Sequence, residues 1–289
     1  MKRALRRHRA AQATRLLAIG LHPELVVDNG IGEPWLLASF STGWRRFAAT
    51  HGFAGINFNG TFAERLVADV DTLRAVPDRW TDEQAAAAPL VYETAYQAIT
   101  HWGDVPDAAV VLVTGASGGV GSACVQLAKA MGHTVIGLSR DAEKAKKLRE
   151  IGTDITFDPN DSTWTKSLKT QLGKRRVDLA VDNVGGRPFN DVLDVMGMNG
   201  RITVVGRLAG PVPEFNTASL FFRRLKIGGI AIHSYTGDAC TQAWRECVAL
   251  LNQSGQRPLI DSIHPFEKLH DAFARLERGP MGKVLLRIK

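Results

Sequence analysis

The chain has 289 residues, enough for one large α/β domain or two smaller ones around a substantial core. Hydrophobic residues make up 45% and charged residues 22%, which excludes a disordered, collagen-like or coiled-coil chain. No apolar run approaches the ~20 residues of a membrane-spanning helix. The three cysteines form neither a paired framework nor a C-x-x-C motif. This argues against secretion and against a cysteine-built zinc site, and we expect a cytoplasmic protein without a membrane partner.

The start of the chain is its most basic part. Positions 1–50 contain eight Lys or Arg against three acidic residues, so this segment carries +5 of the net charge of +7. The remainder is nearly neutral, and the high isoelectric point therefore says little about the main ligand. An arginine-rich start without acids is typical of a solvated helix or of an organellar presequence, and residues 1–46 stay unassigned.

Clear signals of secondary structure begin further along the chain. The stretch 60–69 (GTFAERLVAD) reads as a β-strand that follows a turn. A helix is predicted after Thr81, because Thr81 and Gln84 have the spacing of a capping box. Pro89 is expected to kink or divide this helix.

After Pro106, apolar strand candidates alternate with helical segments. Strands that are buried on both faces and separated by helices are typical of a parallel, doubly wound α/β sheet of the Rossmann type. The strand candidates are residues 110–114, 134–138, 154–157, 178–183, 201–206, 225–232 and 283–288.

A glycine-rich turn between the first two of these elements carries the strongest chemical signal. Residues 116–121 (ASGGVG) match G-x-G-x-x-G with alanine in the first position. Gly118 would let the backbone approach a pyrophosphate, and Gly121 would let the next helix pack closely on the strand. The helix N-terminus would then offer N–H groups and the positive end of its dipole to the phosphates. The sequence therefore predicts a dinucleotide cofactor.

The end of the second strand bears on which dinucleotide is bound. An NAD enzyme usually has Asp or Glu there to bind the ribose 2′-hydroxyl, whereas this chain has Ser139 and Arg140, with Lys144 soon after. Arginine and lysine suit a 2′-phosphate, which favours NADP(H). Asp141 leaves NAD(H) open, although its simpler role is the N-cap of the following helix.

These motifs together resemble the medium-chain dehydrogenase/reductase superfamily, in its zinc-independent, quinone oxidoreductase-like branch. The resemblance covers residues 47–289 and includes TGASGGVG, Lys144, DNVGG, GRITVVG and the closing AFARLERGPMGKVLLRI. It implies an NADP-binding Rossmann domain over 101–254 and an incomplete GroES-like β domain made of 47–100 and 255–289. It also implies a homodimer in which the strand at 225–232 pairs across a two-fold axis.

The resemblance further implies roles for individual residues. In such relatives Thr94 and the segment after the strand at 178–183 lie near the nicotinamide, and Lys144 lies at the 2′-phosphate. Phe157 stands where tyrosine is common, on the adenine side. The cofactor residues expected in all are Thr94, Ser117, Gly118, Gly119, Val120, Gly121, Ser139, Arg140, Lys144, Phe157 and Asn183. No catalytic residue is assigned. Tyr92 is a weak candidate proton donor, with a packed helix aromatic as the alternative.

Zinc-independent members of this branch transfer a hydride from NADPH to a quinone or to an activated double bond or carbonyl. Residues 1–46 do not resemble the usual start of the family, and the chain lacks the G-H-E segment and the cysteine-rich lobe that zinc requires. We therefore expect an NADP-dependent, zinc-independent oxidoreductase of weak activity on a small-molecule substrate. One alternative is an NADPH-binding protein without turnover. A less favoured one is a nucleic-acid-binding protein similar to zeta-crystallin, for which no RNA motif is present.

Overall fold

A computed structural model describes residues 75–211, 214–235 and 237–288; the strand expected at 60–69 and the segment 1–46 lie outside these ranges. The main sheet has six parallel strands in the order β3-β2-β1-β4-β5-β6. This is the doubly wound Rossmann order, so the predicted α/β class is confirmed. The strands are β1 (Val110–Val113), β2 (Thr134–Leu138), β3 (Ile155–Phe157), β4 (Val177–Asp182), β5 (Met196–Val204) and β6 (Lys226–Gly229).

Helices cover both faces of this sheet. Along β1 the side chains alternate: Val111 and Val113 pack into the cluster that contains α2, α3 and α8, while Val110 and Leu112 pack against α5 and α6. The helices are α1 (Asp82–Ala87), α2 (Pro89–Thr100), α3 (Gly119–Ala130), α4 (Ala142–Glu150), α5 (Trp164–Leu172), α6 (Pro188–Val195), α7 (Ala218–Arg223), α8 (Gly237–Ser254) and α9 (Leu269–Glu277). No helix within the described ranges is both long and apolar enough to cross a membrane.

The first two helices form as the sequence predicts. The Gln84 N–H donates to the Thr81 hydroxyl at 3.2 Å, and the Thr81 N–H donates to the Gln84 side chain at 3.0 Å, which completes the capping box. Pro89 divides the helix, because proline lacks an N–H and suits the first position of α2.

These two helices pack in different places. The alanines of α1 form a small cluster with Leu285, whereas α2 lies in the main core beside β1. The two helices that flank Ala88 therefore belong to different hydrophobic clusters.

A second, two-stranded parallel sheet consists of β7 (Ile260–Pro265) and β8 (Lys283–Arg287), joined by α9. The sequence did not predict β7, whose residues lack a strong apolar run. The strand expected over 225–232 is also shorter than predicted. β5 ends at Val204, opposite Gly229, so the backbone beyond Ile230 has no ladder partner and forms a short 3₁₀ turn.

Candidate cofactor site

The glycine-rich turn leads from β1 directly into α3. Gly118 is the N-cap residue, and no side chain caps the helix, so N–H groups of its first turn remain available to a ligand. A Cβ on Gly121 would lie 2.2 Å from the carbonyl oxygen of Gly115, whereas a Cβ on Gly118 would have ordinary contact at 3.4 Å. Gly121 therefore permits the packing of helix on strand, while Gly118 keeps the approach to the helix N-terminus open.

The strand order reverses between β1 and β4, and polar groups meet at that crevice. The Asn183 side-chain amide donates to the Thr114 carbonyl at 2.9 Å, and its backbone N–H donates to the Thr114 hydroxyl at 2.9 Å. The Oδ1 atom of Asn183 is buried and has no hydrogen-bond partner among the described residues. A buried acceptor without a donor is costly, so this oxygen is suited to a hydroxyl or amide of a ligand.

A buried carboxylate fixes the backbone that lines the same crevice. Asp182 is fully buried, and it accepts hydrogen bonds from the Thr114 hydroxyl at 2.7 Å and from the Val184 N–H at 3.2 Å. The Gly185 N–H donates to both of its oxygens, at 3.2 and 3.1 Å. Sequence reasoning missed Asp182. The available signal was an acidic residue at the end of a buried strand, next to a glycine pair.

The end of β2 supplies the groups expected near the ribose. The Asp141 carboxylate caps α4 by accepting from the N–H groups of Lys144 and Glu143 at 3.0 and 2.9 Å, and these bonds lower its pKa. The N-cap interpretation of Asp141 is therefore confirmed. The Ser139 hydroxyl donates to the Asp141 carbonyl at 3.1 Å. Arg140 is exposed and makes no ion pair within the described residues.

A segment from the far end of the chain crosses the site. Residues 278–283, from the end of α9 to the first residue of β8, form what we call the strap. The Gly282 N–H donates to the Ser117 carbonyl at 2.9 Å, and Gly282 forms a parallel bridge with Gly118. The Lys144 ammonium donates to the Gly279 carbonyl. The strap thus contacts both the glycine turn and the basic residue expected at the 2′-phosphate, a placement that the sequence did not predict.

The remaining predicted residues lie on the flanks. Val91, one turn before Thr94 on α2, would lie 3.2 Å from a Cβ on Gly119, so α2 borders the turn. The Thr94 hydroxyl donates to the Leu90 carbonyl of its own helix at 2.6 Å. Val120 is partly buried in the first turn of α3. The ring of Phe157 at the end of β3 lies 6.3 Å from that of Trp164.

Tyr92 is placed in the core. Its side chain is 1% exposed and its hydroxyl donates to the side-chain oxygen of Gln126. Burial raises the pKa of this hydroxyl well above its ordinary value. The geometry therefore favours the packed aromatic over the proton donor.

Metal ligands and reactive thiols are the other groups of chemical interest. Within residues 75–211, 214–235 and 237–288, no three His, Cys, Asp or Glu side chains are grouped so that they could hold a metal ion. Among the described residues, Cys124, Cys240 and Cys247 form no disulfide. Burial raises the pKa of the Cys124 and Cys247 thiols, which makes both poor nucleophiles.

Comparison with known proteins identifies the family. Residues 119–253 match the family model described as zinc-binding dehydrogenase. The quinone oxidoreductase of Sus scrofa is 28% identical over 262 residues, covering 90% of this chain and 77% of that enzyme. The chain belongs to the medium-chain dehydrogenase/reductase superfamily, as a quinone oxidoreductase-like member. Another relative is the acryloyl-coenzyme A reductase of Sulfurisphaera tokodaii, 30% identical over 79% of this chain and 66% of that enzyme.

Solved structures of the superfamily share the fold. A mycobacterial protein in complex with NADPH is 28% identical to this chain and superimposes with a TM-score of 0.72, covering 79% of this chain and 72% of that one. The fold expected from the sequence is thus found in proteins of the same superfamily.

The match to the pig enzyme also bears on the basic N-terminal segment. It covers 90% of the chain and leaves out fewer than 46 residues, so it reaches into the segment 1–46 that was expected not to resemble the family. The expectation of weak activity, which depended on the unusual start, therefore loses part of its support.

Proposed function

We propose that this protein is an NADP(H)-dependent oxidoreductase that reduces a quinone, or an activated double bond or carbonyl, in a small molecule without zinc. The crevice between β1 and β4 carries the proposal, because the uncapped N-terminus of α3 and the unpaired Oδ1 of Asn183 lie there. The quinone oxidoreductase and acryloyl-coenzyme A reductase among the relatives, and the NADPH complex among the neighbours, support it. A bound nicotinamide cofactor supplies the hydride.

The residues of the chain bind and orient the two reactants. The first-turn N–H groups of α3 bind the pyrophosphate, and Gly118 leaves room for its approach. The Asn183 oxygen accepts a hydrogen bond from the cofactor, while Asp182 fixes the backbone that carries Asn183. Positioning of this kind accounts for much of the rate enhancement in reactions that need no catalytic acid from the protein.

The experiment that tests the proposal is a direct NADPH titration beside NADPH oxidation measured across small quinones and enones. We expect binding, and turnover that dialysis against a strong chelator leaves unchanged. If NADPH binds but no acceptor is reduced, the result would favour the alternative function, a protein that binds NADPH without turnover. Absence of NADPH binding would overturn the proposal. RNA binding that weakens steeply with salt would instead support the nucleic-acid alternative.

Cofactor selectivity should depend on Arg140. Because Arg140 is exposed beside the end of β2, replacing it with alanine should weaken NADPH binding about tenfold to a hundredfold, the loss of one charge-assisted contact. NADH binding should hardly change. Calorimetric titration of both nucleotides measures this, with Lys146→Ala on α4, the helix that follows Arg140, as the control. An equal loss for both nucleotides would contradict the role of Arg140.

We also propose a homodimer that forms through β6. This edge strand of the main sheet is exposed along most of its length, with Ile227 38% exposed, and such an edge is a template for pairing. Sedimentation at micromolar concentration should give twice the mass of the chain. Ile227→Lys should shift the protein toward monomer, whereas Ile263→Lys, on the exposed side of β7, should not. A monomeric wild type would contradict this proposal.

The small domain is proposed to combine residue 47 to about Ala88 with residues 255–289, while α2 joins the Rossmann domain of 101–254. The packing of α1 on β8 supports this division. A parallel sheet of two strands rarely stands alone, so further strands are expected beside β7 and β8. We propose a cytoplasmic location as well, supported by a sequence whose three cysteines form no paired framework.

A further inference from the structure

The loop after β5 lies at the carboxyl edge of the main sheet, next to the loop after β4. The Val205 N–H donates to the Asp182 carbonyl at 2.9 Å. The Ala209 N–H donates to the Val184 carbonyl at 2.8 Å. These hydrogen bonds hold residues 205–210, which we call the β5 loop, against the loop that carries the proposed cofactor contact.

The strand order places the β5 loop on the side of the site away from the glycine turn. The glycine turn follows β1, and β4 lies between β1 and β5 in the sheet. A Cβ on Gly206 would lie 2.7 Å from the Asn183 carbonyl oxygen, so the β5 loop directly adjoins Asn183. A cofactor that binds at the glycine turn and contacts Asn183 therefore extends toward the β5 loop, along the carboxyl ends of the strands. The hydride acceptor must lie against the cofactor, so the β5 loop borders the place for the acceptor.

Two neighbouring side chains of the β5 loop are exposed. Leu208 is 88% exposed, more than any other large hydrophobic residue of the described ranges. Arg207 is exposed as well, and its guanidinium makes no hydrogen bond and no ion pair with any described residue. The Asp182 carboxylate does not pair with it, because that group is fully buried and already accepts hydrogen bonds from the Thr114 hydroxyl and the Gly185 N–H. The β5 loop thus presents an apolar group beside a cation without a counter-ion.

This combination suits an acceptor with an apolar body and one anionic substituent. Contact between Leu208 and a ring removes apolar surface of both from water. The planar guanidinium of Arg207 fits a carboxylate or a similar oxyanion with two parallel hydrogen bonds. Arg187, on the loop after β4, is a second exposed cation without an ion pair among the described residues. The positive potential of the two arginines raises the local concentration of anions.

We infer that the β5 loop binds the hydride acceptor, and that this acceptor is a quinone or enone that carries an anionic group such as a carboxylate. Leu208 contacts the apolar body of the acceptor, and Arg207 binds its anionic group. The inference rests on the proposed function and specifies the substrate class of that site. Neither side chain contributes to the affinity for the cofactor.

The test is NADPH oxidation with naphthoquinone and with naphthoquinone sulfonate, an anionic acceptor with the same rings. For Arg207→Gln, kcat/KM with the sulfonate should fall about tenfold, the loss of one charge-assisted contact at an exposed place. With naphthoquinone, kcat/KM should stay at the wild-type value. Arg207→Lys should retain more activity with the sulfonate than Arg207→Gln. Leu208→Ser should lower kcat/KM about threefold to tenfold with both acceptors, because each acceptor has the apolar rings.

Two controls accompany these measurements. Each variant is compared with the wild type on the same acceptor, because sulfonation also changes the reduction potential of the quinone. Arg245→Gln removes an exposed arginine from α8 and should leave kcat/KM unchanged with both acceptors. Calorimetric titration should give the wild-type Kd for NADPH with every variant.

The outcomes separate this inference from the proposed function. If Arg207→Gln changes kcat/KM equally for both acceptors, or for neither, the inference is overturned and the proposed function stands. Weaker NADPH binding by Arg207→Gln would overturn the inference too, by placing Arg207 at the cofactor. If the wild type reduces neither acceptor, the inference and the proposed function are both overturned.

Discussion

Replacing Gly121 with alanine should destabilise the protein by ~3 kcal/mol or more and abolish nucleotide binding. The added Cβ would lie 2.2 Å from the Gly115 oxygen and within 2.9 Å of two backbone atoms of Ala116. None of these atoms can rotate away as the end of a side chain would. The helix must therefore move off the strand, which opens the core between α3 and β1. Urea or thermal unfolding measures the loss of stability.

Gly118→Ala provides a matched control in the same turn. Gly118 has a φ of −73°, which any residue adopts, and its added Cβ would keep an ordinary contact of 3.4 Å. This variant should fold with nearly the stability of the wild type, yet bind NADPH more weakly, because the new methyl group stands in the approach to the helix N-terminus. Wild-type stability of Gly121→Ala would contradict the packing role of Gly121.

Asp182→Ala should lower the free energy of unfolding by about 3–5 kcal/mol. The substitution leaves the Thr114 hydroxyl and the N–H groups of Val184 and Gly185 without their acceptor in a fully buried place. The turn that follows β4 loses its anchor, so nucleotide affinity should fall as well. A urea titration with a shifted midpoint and an unchanged slope would show that stability itself has changed.

Asp194→Ala is the control for the loss of a carboxylate. Asp194 forms an ion pair with Lys169 at 2.6 Å, but its side chain is 51% exposed. Exposed pairs contribute little, so this variant should stay within ~1 kcal/mol of the wild type. A comparably small effect of Asp182→Ala would show that water or a rearranged loop replaces the buried carboxylate.

Local patterns were sufficient to predict the main sheet. The central strands β1, β2 and β4 are mostly apolar because both of their faces are buried. The capping box at Thr81 and the break at Pro89 depend on neighbouring residues only. The N-cap role of Asp141 is local in the same sense. Each of these signals lies within a few positions of the residue it determines.

Local patterns could not predict contacts between distant parts of the chain. The bond between Gly282 and Ser117 and that between Lys144 and Gly279 join segments more than a hundred positions apart. The hydroxyl of Tyr92 has its partner, Gln126, on a different helix. Periodicity shows that such a side chain is apolar or polar, but not which segment the fold brings beside it.

The strap has a consequence for the order in which the protein is assembled on the ribosome. The glycine turn is synthesised well before Gly282, whose bridge to Gly118 brings the strap against the turn. We therefore expect a nascent chain that has formed β1 and α3 but lacks the strap to bind nucleotide more weakly than the full protein. Cofactor binding stabilises a folded protein more as its affinity rises. We therefore expect the cofactor to stabilise mainly those chains whose last strand has been synthesised.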